Sequence, residues 1–159
     1  MSVTDEDIKA RLLERTRGML DALVDEVMTT DVVTVDYNDF VSKPARLILE
    51  NGFMGVLVMK EGKPFTIVTQ FDLLSLAYEE VFDPDRDFLR LTVGELLKDK
   101  PLVSVPTGTR IREAMNIMLD RNMRAMPVID EGRVRGIFST GDMMSWYRDT
   151  HEEIRTGHL

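Results

Sequence analysis

There is no cysteine in these 159 residues. That absence removes disulfide scaffolds, iron–sulfur clusters, thiolate zinc sites and cysteine nucleophiles together, and it makes a reducing, cytoplasmic setting the default expectation. Histidine is nearly absent as well. His151 and His158 are the two in the chain, and they share no helical face with a helix-spaced zinc-binding partner, so no metal site is expected. No uninterrupted apolar run approaches the roughly 20 residues that span a bilayer. The opening MSVTDEDIKARLLERTRG is charged from Asp5 onward and lacks the apolar core of a signal peptide, so a soluble chain is expected. Basic residues are outnumbered, 20 Lys and Arg against 28 Asp and Glu, for a net charge of −8. Dispersed among acids, they form no stripe for a phosphate backbone, and neither nucleic acid nor membrane is an expected partner.

Catalytic signatures are missing too. No Gly-x-Ser-x-Gly elbow surrounds a serine, no Walker loop is present and no Gly-x-Gly-x-x-Gly follows a strand pattern, so no enzyme is expected. Asp83, Asp85 and Asp87 mimic the start of a calcium loop, but Phe88 stands where the loop needs glycine and Gly94 where it needs glutamate, which leaves an acidic linker. The eleven methionines, Met115, Met118, Met123 and Met126 among them, read as adaptable core and interface filling.

What the chain does contain is a duplication. At an offset of 70 residues, Val33, Val35, Leu49, Val58, Glu61, Gly62, Ile67, Asp72 and Ser75 face Val103, Val105, Leu119, Val128, Glu131, Gly132, Ile137, Asp142 and Ser145 without a gap. Each copy opens on a β-branched run, Val32–Val35 or Val103–Val105, followed by a helix-period segment. In the second copy Ile111, Ala114, Met115, Met118 and Leu119 share one helical face, with Thr109 placed to cap it. In the first, Pro44 is tolerated only in a first turn, which predicts a later start with Ser42 as cap. Two strands joined by Lys60-Glu61-Gly62-Lys63 or Asp130-Glu131-Gly132-Arg133 then form a hairpin, and a helix closes each unit. Ahead of the repeats, Ile8, Leu12, Met19, Leu20, Leu23 and Val27 predict an amphipathic helix with a Thr4/Asp7 capping box, packed on the repeats or presented to a partner. The expected division is a helix over 1–23, repeats over 24–82 and 93–150, a linker over 83–92 and a tail over 151–159.

Two junctions between strand and helix could carry function: Thr69 with Asp72, and Ser139 with Asp142. A hydroxyl followed three residues later by an acid is what a helix start needs for its free N–H groups. The same N–H groups attract phosphate, and a carboxylate in the first turn can accept both hydroxyls of a ribose, so the pair also suits a nucleoside phosphate.

Two copies of strand, helix, strand, strand, helix, with Gly-hydrophobic-hydrophobic-Ser/Thr-x-x-Asp at the last junction, resemble the cystathionine-β-synthase (CBS) domain family. The resemblance is strongest over Met126–Arg133 and Gly136–Asp142. It implies an α/β fold, two intertwined repeats with an extra N-terminal helix, and two related clefts for AMP, ADP, ATP or S-adenosylmethionine. It implies that Ser139, Asp142, Leu102, Met126 and Pro127 form one cleft, the aspartate holding ribose, while Thr69 and Asp72 serve the other. Arg124 is either a phosphate ligand of the first of these or a solvated arginine, and Arg135 could face a phosphate, a partner or solvent. The first copy departs from the family pattern, with Thr66 in place of the glycine and Leu57 in place of the proline, so its cleft is expected to be obstructed and the second to be the main site. A regulatory module acting on a protein in trans is expected, with a ligand-free scaffold of the same fold as the alternative. A homodimer is expected through helical faces around Met143, Met144 and Trp146.

Overall fold

The computed structural model describes residues 2–156, except for the side chains of residues 147, 150, 151 and 153–155. His158 and the end of the expected tail lie outside them. The elements are α1 (Asp5–Asp21), β1 (Thr34–Asp36), α2 (Ser42–Asn51), β2 (Gly55–Lys60), β3 (Lys63–Thr69), α3 (Gln70–Phe82), a short α4 (Val93–Leu97), α5 (Ile111–Arg121), β4 (Ala125–Asp130), β5 (Arg133–Ser139) and α6 (Thr140–Thr156). This is the expected mixed α/β arrangement with its added first helix. α6 runs to Thr156, beyond the end expected for it.

Each repeat builds the same small sheet. β1 runs parallel to β2, which pairs antiparallel with β3. In the second repeat β4 pairs antiparallel with β5, and the counterpart of β1 shrinks to one parallel bridge, Val105 with Val128. The two hairpins turn alike. Glu61 and Gly62, and Glu131 and Gly132, all have positive φ, the two-residue turn whose twist matches its strands. Both hairpins also slip register at the same place, after Val58 and after Val128.

Helix starts follow the tertiary contacts more than the cap residues. The Thr4/Asp7 capping box forms as expected. Thr109, however, does not cap α5. Its carbonyl accepts from Val24 N–H at 2.8 Å and its hydroxyl donates to Pro106, so it is buried and the helix starts one residue later, behind Arg110. Ser42 is not a cap either: it is the first helical residue of α2, with Pro44 buried in the first turn.

The repeats are intertwined by exchange of their leading segments. The segment that leads into the first repeat pairs with the second: Thr29 and Ile137 exchange backbone hydrogen bonds at 2.9 Å, and Ile111 N–H donates to Ala22 at 2.9 Å. The leading residues of the second repeat pair with the first, Val93 N–H donating to Asp39 and Gly94 N–H to Tyr37. Gly136 shows why this exchange constrains sequence, since a Cβ there would sit 2.7 Å from Met28 Sδ and 2.8 Å from the Thr29 carbonyl. Two cores result. One joins Met19 and Val24 to Val105, Ile111, Met118, Met126, Val128, Phe138 and Met143. The other gathers Val35, Val41, Ile48, Val56, Val58, Val68 and Val93. Each such buried side chain contributes about 1.5–3 kcal/mol, so the cores outweigh any single cap.

α1 packs on α5 and α6, which corrects the expected dimer face. Met143 is buried in the core and Trp146 is half-buried against it, with the Arg15 guanidinium 5.5 Å from its ring centroid. Met144 alone of the three is exposed.

Candidate functional site

Both candidate junctions are capping boxes. Thr69 N–H and Oγ1 donate to Asp72 Oδ2 at 2.8 and 3.0 Å, and Asp72 N–H donates to Thr69 Oγ1 at 3.2 Å. Ser139 N–H and Oγ donate to Asp142 Oδ2 at 2.8 and 3.1 Å, with the return bond at 3.3 Å. In each repeat the strand ends where its last N–H meets the carboxylate, and the helix starts there.

The aspartates part company at their remaining contacts. Asp142 Oδ1 accepts the Thr29 hydroxyl at 2.9 Å, so both of its oxygens are engaged. Asp72 receives its third donor on the oxygen already in use: Lys100 Nζ lies 2.5 Å from Oδ2 and 2.8 Å from the Ile67 carbonyl. Asp72 Oδ1 accepts no hydrogen bond among the described residues. Lys100 here does with a side chain what Thr29 does on Ile137 with its backbone.

The space beside each aspartate differs in the same sense. The cavity lined by Thr29, Asp31, Val33, Phe53, Met54, Ser139 and Asp142 holds about 100 Å³. The one at Asp72 holds about 610 Å³, lined by Thr69, Gln70, Phe71, Leu74, Lys100 and Val103 and closed from the other repeat by Arg121–Ala125. A ligand pocket typically holds about 300–1,000 Å³, so of these two the cavity at Asp72 is the one with room for a nucleotide. Arg121 and Arg124 line it without a carboxylate partner among the described residues. With Lys100, they set three cations against one carboxylate in an acidic chain.

The residues expected to form one cleft are therefore divided. Ser139 and Asp142 line the small cavity, whereas Arg124 stands on the wall of the large one with Thr69 and Asp72. Met126 and Pro127 are buried in β4 and line neither; the Pro127 carbonyl accepts from Val105 N–H. Leu102 is half-buried between Pro101 and Val103, which line the large cavity, but is not itself in its wall. The expected obstruction of the first cleft is absent because Leu57 and Thr66 are wholly buried in their sheet and stand outside the cavity. Arg135 faces Asp130 across the hairpin, Nε 3.4 Å from Oδ2.

Sequence reasoning missed Thr29, Lys100 and Arg121. Thr29 falls opposite Asp99 at the repeat offset and so one residue away from Lys100. Its role depends on a crossover that repeat alignment does not reveal.

Comparison with known proteins agrees with this architecture. The chain is 28% identical to an uncharacterized protein of Methanocaldococcus jannaschii, MJ1404, across 92% of its own length and 37% of that protein's. A second, MJ1225, is 24% identical across 91% of this chain and 53% of its own. The chain thus spans about a third to a half of these two relatives. The solved structure of MJ1225, described as a putative archaeal homolog of γ-AMPK, superposes with a TM-score of 0.71 at 23% identity, covering 91% of this chain and 54% of that one. The CBSX2 structure, solved in complex with AMP, superposes with a TM-score of 0.65 at 24% identity, covering 80% and 96%. The CBS domain model matches residues 24–79 and 93–149, the two copies that exchange their leading segments, and the chain belongs to the CBS-domain family as a tandem pair.

Proposed function

We propose that this chain is a cytoplasmic regulatory module that binds an adenine nucleotide (AMP, ADP or ATP) or a related adenosyl ligand such as S-adenosylmethionine in the cavity at Asp72. It performs no chemistry on that ligand, works as a homodimer and acts on a regulated protein in trans. The observation that carries the reading is the free Oδ1 of Asp72 at the wall of a cavity of about 610 Å³. A carboxylate oxygen with no partner can accept a ribose hydroxyl at no cost in lost hydrogen bonds, and Lys100, Arg121 and Arg124 offer charge to a phosphate. The AMP complex of CBSX2 supports the same ligand class on the same fold. In this reading the main site lies in the first repeat, against the expectation from motif completeness. The engaged Asp142 supports the alternative for the second cleft, a scaffold without ligand.

Titration calorimetry tests the reading. One of AMP, ADP, ATP or S-adenosylmethionine should bind and raise the melting temperature, because a ligand that binds only the native state stabilises it. Asp72→Ala should weaken binding by about ten- to a hundredfold, equivalent to losing hydrogen bonds to a charged group worth about 1.5–3 kcal/mol. Asp142→Ala should leave affinity unchanged and lower stability by about 1–2 kcal/mol as a lost cap. No binding of any of the four at millimolar concentration would return the chain to the scaffold reading.

A further inference from the structure

The walls of the two related cavities differ in the sign of their charge. Lys100, Arg121 and Arg124 stand with Asp72 around the large one, whereas the charged residues lining the small one are Asp31 and Asp142. At the repeat offset the counterparts of the three cations are Thr30, Asn51 and Met54, so the positive wall belongs to one cleft and not to the duplication. Of the three, Lys100 is bound to the carboxylate itself. Asp72 Oδ2 accepts Thr69 N–H, the Thr69 hydroxyl and Lys100 Nζ at 2.8, 3.0 and 2.5 Å, and the same ammonium donates to the Ile67 carbonyl at 2.8 Å. The two Thr69 donors are fixed by the cap of α3. Oδ1 can take one ribose hydroxyl as it stands, but a second hydroxyl on Oδ2 requires Lys100 to let go. The side chains of Lys100 and Asp72 are only 30% and 19% exposed, so an ammonium released here without a new partner is costly.

We propose that Lys100 sets the selectivity of this cavity by exchanging Asp72 for a phosphate of the ligand, so that affinity rises with the ligand's negative charge. The inference rests on the nucleotide reading above and narrows it to nucleoside polyphosphates, ATP or ADP ahead of AMP, with adenosine and S-adenosylmethionine poor ligands. A phosphate is a stronger acceptor for the ammonium than the carboxylate oxygen it shares with two other donors. Adenosine brings no anion and leaves Lys100 holding Oδ2 against the second ribose hydroxyl. S-adenosylmethionine brings a sulfonium, a further positive charge beside three cations. Arg121 and Arg124 add to the same field, and neither has to give up a carboxylate among the described residues to do so. In the second repeat Thr29, a neutral donor, holds Asp142 Oδ1, and no cation stands on the cavity wall to make the same exchange.

Calorimetric titration of the full chain with ATP, AMP, adenosine and S-adenosylmethionine tests this, in EDTA so that each nucleotide carries its full charge. The wild type should bind ATP more tightly than AMP and AMP more tightly than adenosine, with at least about a hundredfold between the ends of the series, and added salt should weaken ATP most. Lys100→Met should weaken ATP by about tenfold, the lower end for one lost hydrogen bond to a charged group. It should leave adenosine bound as tightly or more tightly, because Oδ2 is released. Lys100→Arg, which keeps the charge, should retain the preference for ATP, and circular dichroism melts will show that both variants fold. A lysine that only props the Ile67 carbonyl would instead lower the melting temperature of Lys100→Met and weaken every ligand alike. That result, ATP affinity unchanged in Lys100→Met, or S-adenosylmethionine bound as tightly as ATP by the wild type would overturn the selectivity role and leave the nucleotide site standing. No binding of any of the four to the wild type would overturn both.

Discussion

Asp72 and Asp142 occupy the same place in their repeats, and a single neighbouring side chain decides what each can do. Lys100 adds its ammonium to an oxygen already in use and leaves the other open, whereas Thr29 closes the open one. Thr66 shows the same dependence on neighbours. It stands where the second repeat has Gly136, and its hydroxyl is fully buried without a hydrogen-bond partner among the described residues. A buried hydroxyl left unpaired costs about 1–3 kcal/mol, so Thr66→Val, which keeps the shape and removes the polar atom, should stabilise the chain by about 1 kcal/mol. Urea unfolding will read this as a higher midpoint at unchanged slope. A midpoint equal to or below that of the wild type would mean that the hydroxyl is satisfied.

Among the elements, the hairpins were the most legible. Glu-Gly between β-branched runs specifies a tight turn, and all four central residues have positive φ. The second hairpin is also tied to the loop before α5. Thr107 donates its hydroxyl and its N–H to Asp130, and these two bonds, with Arg135 nearby, hold the Asp130 carboxyl below its usual range. Asp39 and Asp7 are lowered in the same direction, chiefly by backbone N–H groups of Asp36 and Thr4. In all three the folded chain binds its proton more weakly than the unfolded chain does. Their stabilisation is therefore present above the ordinary carboxylate value of 3.8 and is lost as pH falls through the lower folded values. Melting temperature should drop below about pH 4, and Asp130→Asn should make that acid limb shallower while lowering stability at neutral pH. An unchanged acid limb in Asp130→Asn would remove Asp130 from this account.

For the molecule as a whole, the exchange of leading segments means that neither repeat holds its own core. Met19 and Val24 complete the core of the second repeat, and Val93 that of the first. A fragment of residues 24–82 lacks Val93 and the Leu91, Val93 and Gly94 backbone partners of Val41, Asp39 and Tyr37. It should be largely unfolded by circular dichroism at 25 °C, while the whole chain unfolds in one cooperative transition. A folded 24–82 fragment with its own sharp melt would show that the repeats are independent and the exchange incidental.

The offset of 70 residues, the glycine-containing turns, the helical faces and the two hydroxyl–carboxylate pairs were all readable in order along the chain, because turn chemistry and periodicity are local. These determined the duplicated α/β fold and pointed to both aspartates. Which aspartate faces usable space was not local. It depends on Thr29 and Lys100, which reach their carboxylates across 113 and 28 residues, and on the end of α5 and the loop to β4 of one repeat walling the cavity of the other. The motif in the second copy is the more complete because Gly136 must admit the crossing segment, and that same segment brings Thr29 onto Asp142. Completeness of the motif therefore reported on packing, and only the tertiary structure could separate that from an open site.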